Sequence, residues 1–391
     1  MEIEQEKIKS KIFLRGTFLF GILLLLLLSI LLVNCSPKEE NNNGGSVTPA
    51  WVYSEIEYPK YLKMTKDGKY AIVAGDNKVA LLDLVAKRRI AIYEVTPDEL
   101  GFDCVSISET GYAIASTYYN FKIFSATDSS SILTLNEING RRLGGYPVTS
   151  IPLTNDFFAY GFMRVSYSGN VVWYNPINLQ DQNGNYYPNP NYDVANELVC
   201  SGDGTLLALE SGIYGKLSLF NGLNGTLLWR SVEEFDGSSE LAMSQDGNIV
   251  VTKDLSKIMV FSTNPPALLF SRNLNYTPIN SYKSVAASQN GNVIAVGDMS
   301  RLLIFKNLSQ NPAVIKETSE GEILNIDMSA DGSKIALSSY FGGLQVYDSN
   351  GNLVFSHDTP YSGAVSEVNI SSDGKTVTCI YEGKVHLYKL Q

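Results

Sequence analysis

The chain has 391 residues, of which 44% are hydrophobic and 18% charged, with a formal net charge of −10 at pH 7. This composition is typical of a globular protein and excludes a disordered one. Because an acidic body repels phosphate backbones, the charge also argues against nucleic acid as a partner.

The N-terminus predicts a helical export signal. Basic residues up to Arg15 precede an uncharged run from Gly16 to Asn34, which is the pattern of a signal peptide. The run ends in Leu32-Val33-Asn34-Cys35-Ser36, which resembles the bacterial lipobox. The resemblance implies cleavage after residue 34 and lipidation of Cys35. Asn34 departs from the small residue usual in that family, and the alternative is an uncleaved signal anchor.

Residues 36–50 contain almost nothing apolar and are predicted to be a flexible linker. Such a segment spans roughly 20 Å as a coil and about 50 Å when stretched. We therefore divide the chain into a signal peptide at 1–34, a lipidated Cys35 with its linker at 35–50, and a folded domain at 51–391. The expected location is the bacterial envelope, with the outer membrane favoured over the inner one.

A turn motif recurs through the folded domain. Its form is Ser/Thr-x-Asp/Asn-Gly, with glycines at Gly68, Gly204, Gly247, Gly291, Gly332 and Gly374 and a looser copy at Gly111. These glycines supply the positive φ of tight hairpin turns, so each motif predicts two adjacent antiparallel strands. Regular copies are 41 to 44 residues apart, whereas Gly111 and Gly204 are 93 apart. A further copy is therefore expected between them, at Thr154-Asn155-Asp156.

Apolar residues alternate before each turn, which predicts a strand that is buried on one face. The residue three before the motif's Ser or Thr is aliphatic in all eight copies: Leu62, Val105, Ile151, Leu198, Leu241, Val285, Ile326 and Val368. The residue one before is also apolar: Met64, Ile107, Leu153, Cys200, Met243, Ala287, Met328 and Ile370. A later strand ends in an aromatic, with one exception: Leu82, Phe124, Tyr174, Phe220, Phe261, Phe305, Tyr347 and Tyr388.

Short strands at this period resemble the WD-repeat, YVTN and PQQ-like propeller families. Residues 219–229 and 346–355 are most similar to the PQQ-type repeat, and the resemblance covers residues 51–391. It implies an all-β fold, an eight-bladed β-propeller, with seven blades as the alternative. The last repeat is one strand short and Trp51–Ile56 has no partner, so we expect the N-terminal strand to complete the eighth blade.

Three cysteines follow Cys35, namely Cys104, Cys200 and Cys379. Their odd number argues against a full set of disulfides, and each lies in a predicted strand. We expect buried free thiols.

One face of the ring is predicted to carry exposed aromatics. The connections between second and third strands contain Tyr118, Tyr119, Tyr214, Tyr340, Phe341 and Tyr381, and those between blades add Tyr276, Tyr282 and Tyr361. Tyrosine is common in binding surfaces because it offers a large contact area at little entropy cost. The alternative is that these rings pack between blades. The linker is expected to enter on the opposite face, which would point the aromatics away from the membrane.

Two further groups are candidate cation sites. Glu197, Glu240 and Glu367 share one position on the predicted innermost strands, where they could attract a cation or simply be solvated. Asp181, Asn183 and Asn185 resemble the start of a calcium loop, but no closing glutamate follows, and an ordinary Asn/Pro-rich loop is the favoured interpretation.

No catalytic constellation is recognisable. The two histidines, His357 and His386, lie near no nucleophile or metal-ligand run, and no cofactor is predicted. The favoured function is a non-catalytic binding or scaffold lipoprotein that holds an envelope protein on its aromatic face. The alternative is a propeller enzyme of the lactonase or quinoprotein kind, acting on a small molecule at the channel mouth.

Overall fold

The computed structural model describes residues 48–391, except for 97–98, 100, 129–131, 139–140, 143–147, 160–162, 175–194, 212–215, 234–239, 255, 275–283, 319–320, 341–342 and 358–364. The predicted signal peptide, Cys35 and most of the linker lie outside this range and stay predictions. All regular elements of the described part are β-strands. None of its residues forms a helix long and apolar enough to cross a bilayer.

The first strand of the described part is β1 (Trp51–Tyr53). Blades 1 and 2 are β2 (Tyr61–Met64), β3 (Tyr70–Ala74), β4 (Lys78–Asp83), β5 (Arg88–Glu94), β6 (Phe102–Ile107), β7 (Tyr112–Thr117), β8 (Phe121–Ser125) and β9 (Leu133–Leu135). A hairpin follows, made of β10 (Glu137–Ile138) and β11 (Arg141–Arg142). Blades 3 and 4 are β12 (Val148–Ser150), β13 (Asp156–Ala159), β14 (Met163–Ser166), β15 (Val171–Tyr174), β16 (Ala195–Cys200), β17 (Leu206–Ser211), β18 (Lys216–Asn221) and β19 (Leu227–Arg230).

The remaining blades follow in chain order. Blades 5 and 6 are β20 (Glu240–Met243), β21 (Ile249–Lys253), β22 (Lys257–Thr263), β23 (Pro266–Asn273), β24 (Val285–Ala287), β25 (Val293–Asp298), β26 (Arg301–Lys306) and β27 (Val314–Glu317). Blades 7 and 8 are β28 (Ile323–Met328), β29 (Lys334–Ser339), β30 (Gly343–Asp348), β31 (Leu353–His357), β32 (Val368–Ile370), β33 (Thr376–Tyr381) and β34 (Lys384–Lys389).

The blades close into a ring around a central channel. Eight antiparallel sheets have four strands each. The first strand of every blade contacts the first strand of the next, and β32 of blade 8 contacts β2 of blade 1. Full closure leaves no blade without neighbours on both sides. The fold is therefore an eight-bladed β-propeller, as predicted, and the seven-bladed alternative is excluded.

The N-terminal strand completes blade 8. Strand β1 pairs antiparallel with β34, with Trp51 opposite Leu387 and Tyr53 opposite Val385. The side chains of Tyr53 and Ile56 are buried in one apolar cluster with Val385 and Leu387. The predicted closure is confirmed, because the last blade lacks a fourth strand that the first residues of the domain supply.

The turn motif forms one repeated hydrogen-bond arrangement. In blade 4, the Ser201 hydroxyl donates to Asp203 Oδ1 at 2.7 Å and accepts from the Leu206 backbone N–H at 3.0 Å. Gly204 has a φ of +69°, which a side chain would disfavour. Equivalent bonds join Thr65 to Asp67, Ser244 to Asp246, Ser288 to Asn290, Ser329 to Asp331 and Ser371 to Asp373.

Blade 3 departs from the predicted alignment. The Ile151 N–H bonds to the Asp156 carbonyl as the Ser201 N–H bonds to the Leu206 carbonyl, so Ile151 occupies the place of the turn serine. Its first strand therefore ends at Ser150, and Leu153, which was expected to be buried, is 59% exposed. Tyr174 lies on the outermost strand β15, and Val165 takes the third-strand position expected for the aromatic. The predicted turn lay three residues too far along the chain, because this turn lacks both its serine and its glycine.

A belt of hydrogen bonds joins the turns of all eight blades. At seven junctions one backbone N–H donates to a carbonyl in the next blade: Glu109 to Pro152, Leu153 to Gly202, Gly202 to Gln245, Asp246 to Gln289, Gln289 to Ala330, Ala330 to Ser372 and Ser372 to Lys66. At the eighth junction the Glu109 carboxylate accepts from the N–H groups of Lys66 and Asp67, at 2.5 and 3.0 Å. We call this set the turn belt.

Bulges protect the outer edges. The outermost strands of five blades carry a register shift at one equivalent place, next to Ile90, Val172, Leu228, Leu269 and Val354. A bulge bends an edge strand and interrupts its row of free hydrogen-bonding groups. The outer edges of these five blades are therefore poor templates for adding another strand.

Candidate functional site

The connections divide between two faces of the ring. The turn face carries the turns between first and second strands and between third and fourth strands. The loop face carries the connections between second and third strands and those between blades. Of the predicted aromatics on the loop face, Tyr214, Phe341, Tyr276, Tyr282 and Tyr361 lie outside the described residues, as do Asp181, Asn183 and Asn185 of the calcium hypothesis.

Tyr118 and Tyr119 form an exposed aromatic pair on the loop face. They lie in the connection between β7 and β8, and their side chains are 55% and 40% exposed. Their ring centroids are 4.9 Å apart in an edge-to-face arrangement, which is a favourable geometry for two rings. The pair presents a preformed apolar surface with two hydroxyl groups.

Hydrogen bonds fix the conformation of the loop that carries this pair. The Thr117 hydroxyl accepts the N–H groups of Tyr119 and Asn120, at 3.3 and 3.1 Å. The Asn120 side-chain amide in turn donates to Glu99 Oε1 at 2.7 Å. These bonds restrict the loop backbone, so little entropy remains to be lost when a partner binds.

A buried ion pair anchors Glu99 itself. Its carboxylate lies 2.7 Å from the Lys122 ammonium, whose side chain is 4% exposed, and accepts the Tyr93 hydroxyl at 2.7 Å. Burial favours the neutral acid, but Lys122 and the hydrogen-bond donors outweigh it and lower the pKa of Glu99 to about 2. Lys122 also lies over the Tyr93 ring, 4.3 Å from its centroid. The cluster joins blade 1 to blade 2 under the aromatic pair.

A second exposed group lies across blades 6 and 7. Tyr340 is 53% exposed and Met299 is 43% exposed. Two backbone hydrogen bonds link these residues through Glu322 and Ile323. The Ile323 N–H donates to the Met299 carbonyl at 2.9 Å, and the Tyr340 N–H donates to the Glu322 carbonyl at 3.0 Å. Met299 has a φ of +56°, a strained conformation for a residue with a side chain. Methionine suits a contact surface because its flexible side chain adapts to a partner.

The expectation that Tyr381 is exposed was wrong. Tyr381 is the last residue of β33, it is 5% exposed, and it pairs directly with Lys384 across a turn of two residues. Its ring packs edge-on against His357 and His386. Conversely, Tyr58 was not predicted as a surface aromatic, although it follows the closing strand in a connection between blades and is 76% exposed. Its position between blades was the signal that could have found it.

Both histidines of the chain meet at the junction of blades 7 and 8. Their ring centroids are 6.5 Å apart, and Tyr388 lies against both rings. His386 is 8% exposed, and its Nε2 has no hydrogen-bond partner within the described part of the chain. Burial, together with the His357 charge, lowers the pKa of His386. The neutral form of the ring is therefore favoured.

Glu197 and Glu240 lie on innermost strands, Glu367 directly precedes β32, and each of the three binds another blade. Glu197 Oε2 accepts the Leu241 N–H at 2.6 Å and Glu240 Oε2 accepts the Ser284 N–H at 2.6 Å. Glu367 Oε2 lies 3.3 Å from the Lys63 ammonium. These bonds explain the acidic residues as links between blades, and the cation hypothesis stays a prediction.

Among the described residues, no group of three or more His, Cys, Asp or Glu side chains is placed to hold a metal ion. Within the described part of the chain, Cys104, Cys200 and Cys379 form no disulfide bond. Cys379 is buried as predicted, whereas the other two are half-buried. Burial raises the pKa of the Cys379 thiol, so its reactive thiolate is disfavoured.

Known proteins resemble this chain in fold but not in sequence. No family profile and no curated protein matches the sequence. The solved structure of the Dos1 propeller matches with a TM-score of 0.64 at 11% identity, covering 88% of this chain and 95% of that one. Sqt1 of Chaetomium thermophilum, solved bound to the N-terminus of ribosomal protein L10, matches with a TM-score of 0.68 at 12% identity, covering 87% and 99%. At such identities the likeness shows a WD40-like β-propeller fold alone.

Proposed function

We propose that this protein is a lipid-anchored, non-catalytic scaffold of the bacterial envelope that binds a protein partner on its loop face. The observation that carries the proposal is the exposed pair of Tyr118 and Tyr119 on a loop that hydrogen bonds hold in place. Aromatic anchors on a rigid support are typical of the energetic centre of a protein interface.

The wider loop face supports the same proposal. Tyr58, Met299 and Tyr340 add exposed contact area on other blades. A neighbour of the same fold, Sqt1, has been solved with a segment of another protein bound. A propeller of this kind can therefore serve as a binding scaffold, although fold alone does not determine function.

The point of chain entry also favours the loop face. Trp51 pairs with Leu387, and β34 ends two residues later on the turn face. A tether at Cys35 would thus join the domain on its turn face and leave the loop face free for a partner.

The experiment is a crosslinking pull-down of the full-length protein from native membranes, with the partners identified by mass spectrometry. We expect the double variant Tyr118→Ala/Tyr119→Ala to lose the partner at least tenfold, because truncating an aromatic anchor costs about 2 kcal/mol or more. Tyr381 is unsuited to this test because it is buried.

Leu223→Ala is the matched control, since Leu223 is 58% exposed in a turn-face connection. It should leave the recovered partners unchanged. Recovery of the same partners in equal yield by the tyrosine double variant would show that the loop face is not the binding site.

A further inference from the structure

A cavity of about 280 Å³ lies at the turn-face end of the central channel. All eight innermost strands line it with the residues that lie closest to their turns. Lys66, Glu109 and Pro152 of the turn belt frame its rim. The cavity is therefore separate from the aromatic loop face.

The wall of this cavity is polar on one side and apolar on the other. In every blade, the residue two before the turn serine, or before the residue that takes its place, lines the cavity. This position is polar in blades 7, 8, 1, 2 and 3, with Asp327, Asn369, Lys63, Ser106 and Thr149. It is apolar in blades 4, 5 and 6, with Val199, Ala242 and Ala286. Blades 7, 8, 1, 2 and 3 are neighbours in the ring, and so are blades 4, 5 and 6. The polar residues therefore form one wall of the cavity and the apolar residues form the opposite wall.

The polar wall offers both signs of charge to a ligand. The Lys66 ammonium lies 2.7 Å from Asp327 Oδ1, and the lysine and aspartate side chains are 40% and 23% exposed. The Lys63 ammonium lies 3.3 Å from Glu367, and its side chain is 38% exposed. An ammonium has three donors, and each lysine gives one of them to its carboxylate. Charged groups of both signs are thus accessible from the cavity.

We infer that this cavity binds a free aliphatic α-amino acid as its zwitterion. The two ion pairs already balance each other in charge, so a ligand with a single charge would leave that charge without a counter-charge in a partly buried site, which is costly. A zwitterion adds no net charge, with its carboxylate at the remaining donors of Lys63 and Lys66 and its ammonium at Asp327. The aliphatic side chain then lies against Val199 and Ala242, where its burial is favourable.

The size of the cavity agrees with this class of ligand. Pockets for drug-sized molecules measure roughly 300 to 1,000 Å³, and the cavity lies just below that range at about 280 Å³. It therefore suits a ligand of about ten heavy atoms with room for bridging waters, rather than a folded segment of a protein.

Calorimetric titration of the purified full-length protein tests the inference with three probes that share the leucine side chain. L-leucine carries both charges, leucinamide only the positive one and N-acetyl-leucine only the negative one. We expect leucine to bind at least tenfold more tightly than either analogue. Absence of binding by leucine at millimolar concentration, or equal affinity for all three, would overturn the inference.

Two variants locate the site. Asp327→Asn should weaken leucine binding at least tenfold, and Val199→Phe should abolish it by filling the apolar wall. Each variant must first melt cooperatively, which shows that it is folded. If Val199→Phe does not fold, Asp327→Asn alone tests the inference. Tyr118→Ala/Tyr119→Ala should bind leucine normally, which separates this site from the proposed protein-binding face. Unchanged leucine affinity in folded Asp327→Asn would place binding elsewhere and overturn the inference.

Discussion

At the scale of single residues, Glu109 has a role that no other side chain of the turn belt shares. Seven junctions use a backbone carbonyl as the acceptor, whereas the junction of blades 1 and 2 uses the Glu109 carboxylate. Burial raises the pKa of Glu109, and the two backbone donors oppose that shift. One side chain thus completes a ring that is otherwise made of main chain.

Glu109→Ala is expected to lower the free energy of unfolding by about 1–3 kcal/mol, because the Lys66 and Asp67 N–H groups lose their acceptor. Glu109→Gln keeps one carbonyl oxygen and should lose less. Chemical denaturation of the two variants measures the difference. Equal stability of Glu109→Ala and the unchanged protein would mean that water replaces the carboxylate without cost.

His386 predicts a pH dependence of stability. Its pKa is lowered from 6.5 in the folded protein by burial and by His357. The unfolded chain therefore binds the proton more readily, so stability is fully present above about pH 6.5 and falls as the pH drops below that value. The lowered pKa values of turn aspartates such as Asp203 and Asp331 affect stability only below about pH 4. Their pH range is therefore separate from that of His386.

The measurement is the melting temperature at pH 7.5 and pH 5.5 for the unchanged protein and for His386→Gln. The melting temperature should fall on acidification, and the fall should be smaller in the variant. If both proteins lose the same number of degrees, another group is responsible.

Sequence reasoning identified exposed tyrosines correctly where a connection is long enough to leave the sheet. Tyr118, Tyr119 and Tyr340 are exposed as predicted. Tyr381 is not, because only Glu382 and Gly383 form its turn, both with positive φ. A turn of two residues keeps the preceding tyrosine in the strand and buries its ring. Turn length, rather than residue type, decided the outcome.

At the scale of elements, the closing strand β1 is short but deeply packed. Only three residues pair with β34, yet Tyr53 and Ile56 are 4% and 2% exposed. Without them, β34 would become a free edge and an apolar cluster would open to water. The strand therefore holds the first and last parts of the domain together.

Deletion of residues 51–57 should greatly lower the melting temperature, because blade 8 loses its outer strand and its buried contacts. A finer test is Ile56→Ala, which should cost about 2–5 kcal/mol by leaving a cavity. Val52→Ala is the matched control, since Val52 is 38% exposed and should cost under about 0.5 kcal/mol. An unchanged melt after the deletion would contradict closure by this strand.

Blade 3 shows what period alone can and cannot establish. The 93-residue gap correctly predicted an eighth copy, because a ring of equal sheets requires an even spacing. The spacing could not establish the register of the blade 3 turn. The apolar residues of Ile151-Pro152-Leu153-Thr154 fit two different alignments with the other blades. The hydrogen bonds of the folded turn decide between them.

At the scale of the whole molecule, a closed ring of eight blades presents two distinct faces, and the proposed tether would leave one of them free. The ring and its closure were predictable from the repeat, whereas the turn belt and the ion pairs of the channel were not. Both arise from contacts between residues in different blades, such as Lys66 and Asp327, which are 261 residues apart in sequence. Such pairs leave no local pattern.

The tether predicts a lipid on Cys35. Mass spectrometry of the mature protein should find an N-terminus at Cys35 that carries a diacylglyceryl group, and Cys35→Ser should accumulate as the unprocessed chain. Asn34→Gly should be processed at least as well as the unchanged protein, because a small residue suits the cleavage site. Membrane retention of Cys35→Ser with unaltered length in both proteins would instead indicate a signal anchor.

We propose that the loop face binds a protein partner, and site-specific photocrosslinking in living cells can detect that contact. A photoreactive phenylalanine analogue replaces Tyr119 on the loop face in one strain and Leu223 on the turn face in another. We predict a discrete crosslinked adduct from position 119 and none from position 223. Adducts from position 223 alone, or none from position 119 while the protein is folded and exported, would contradict the account.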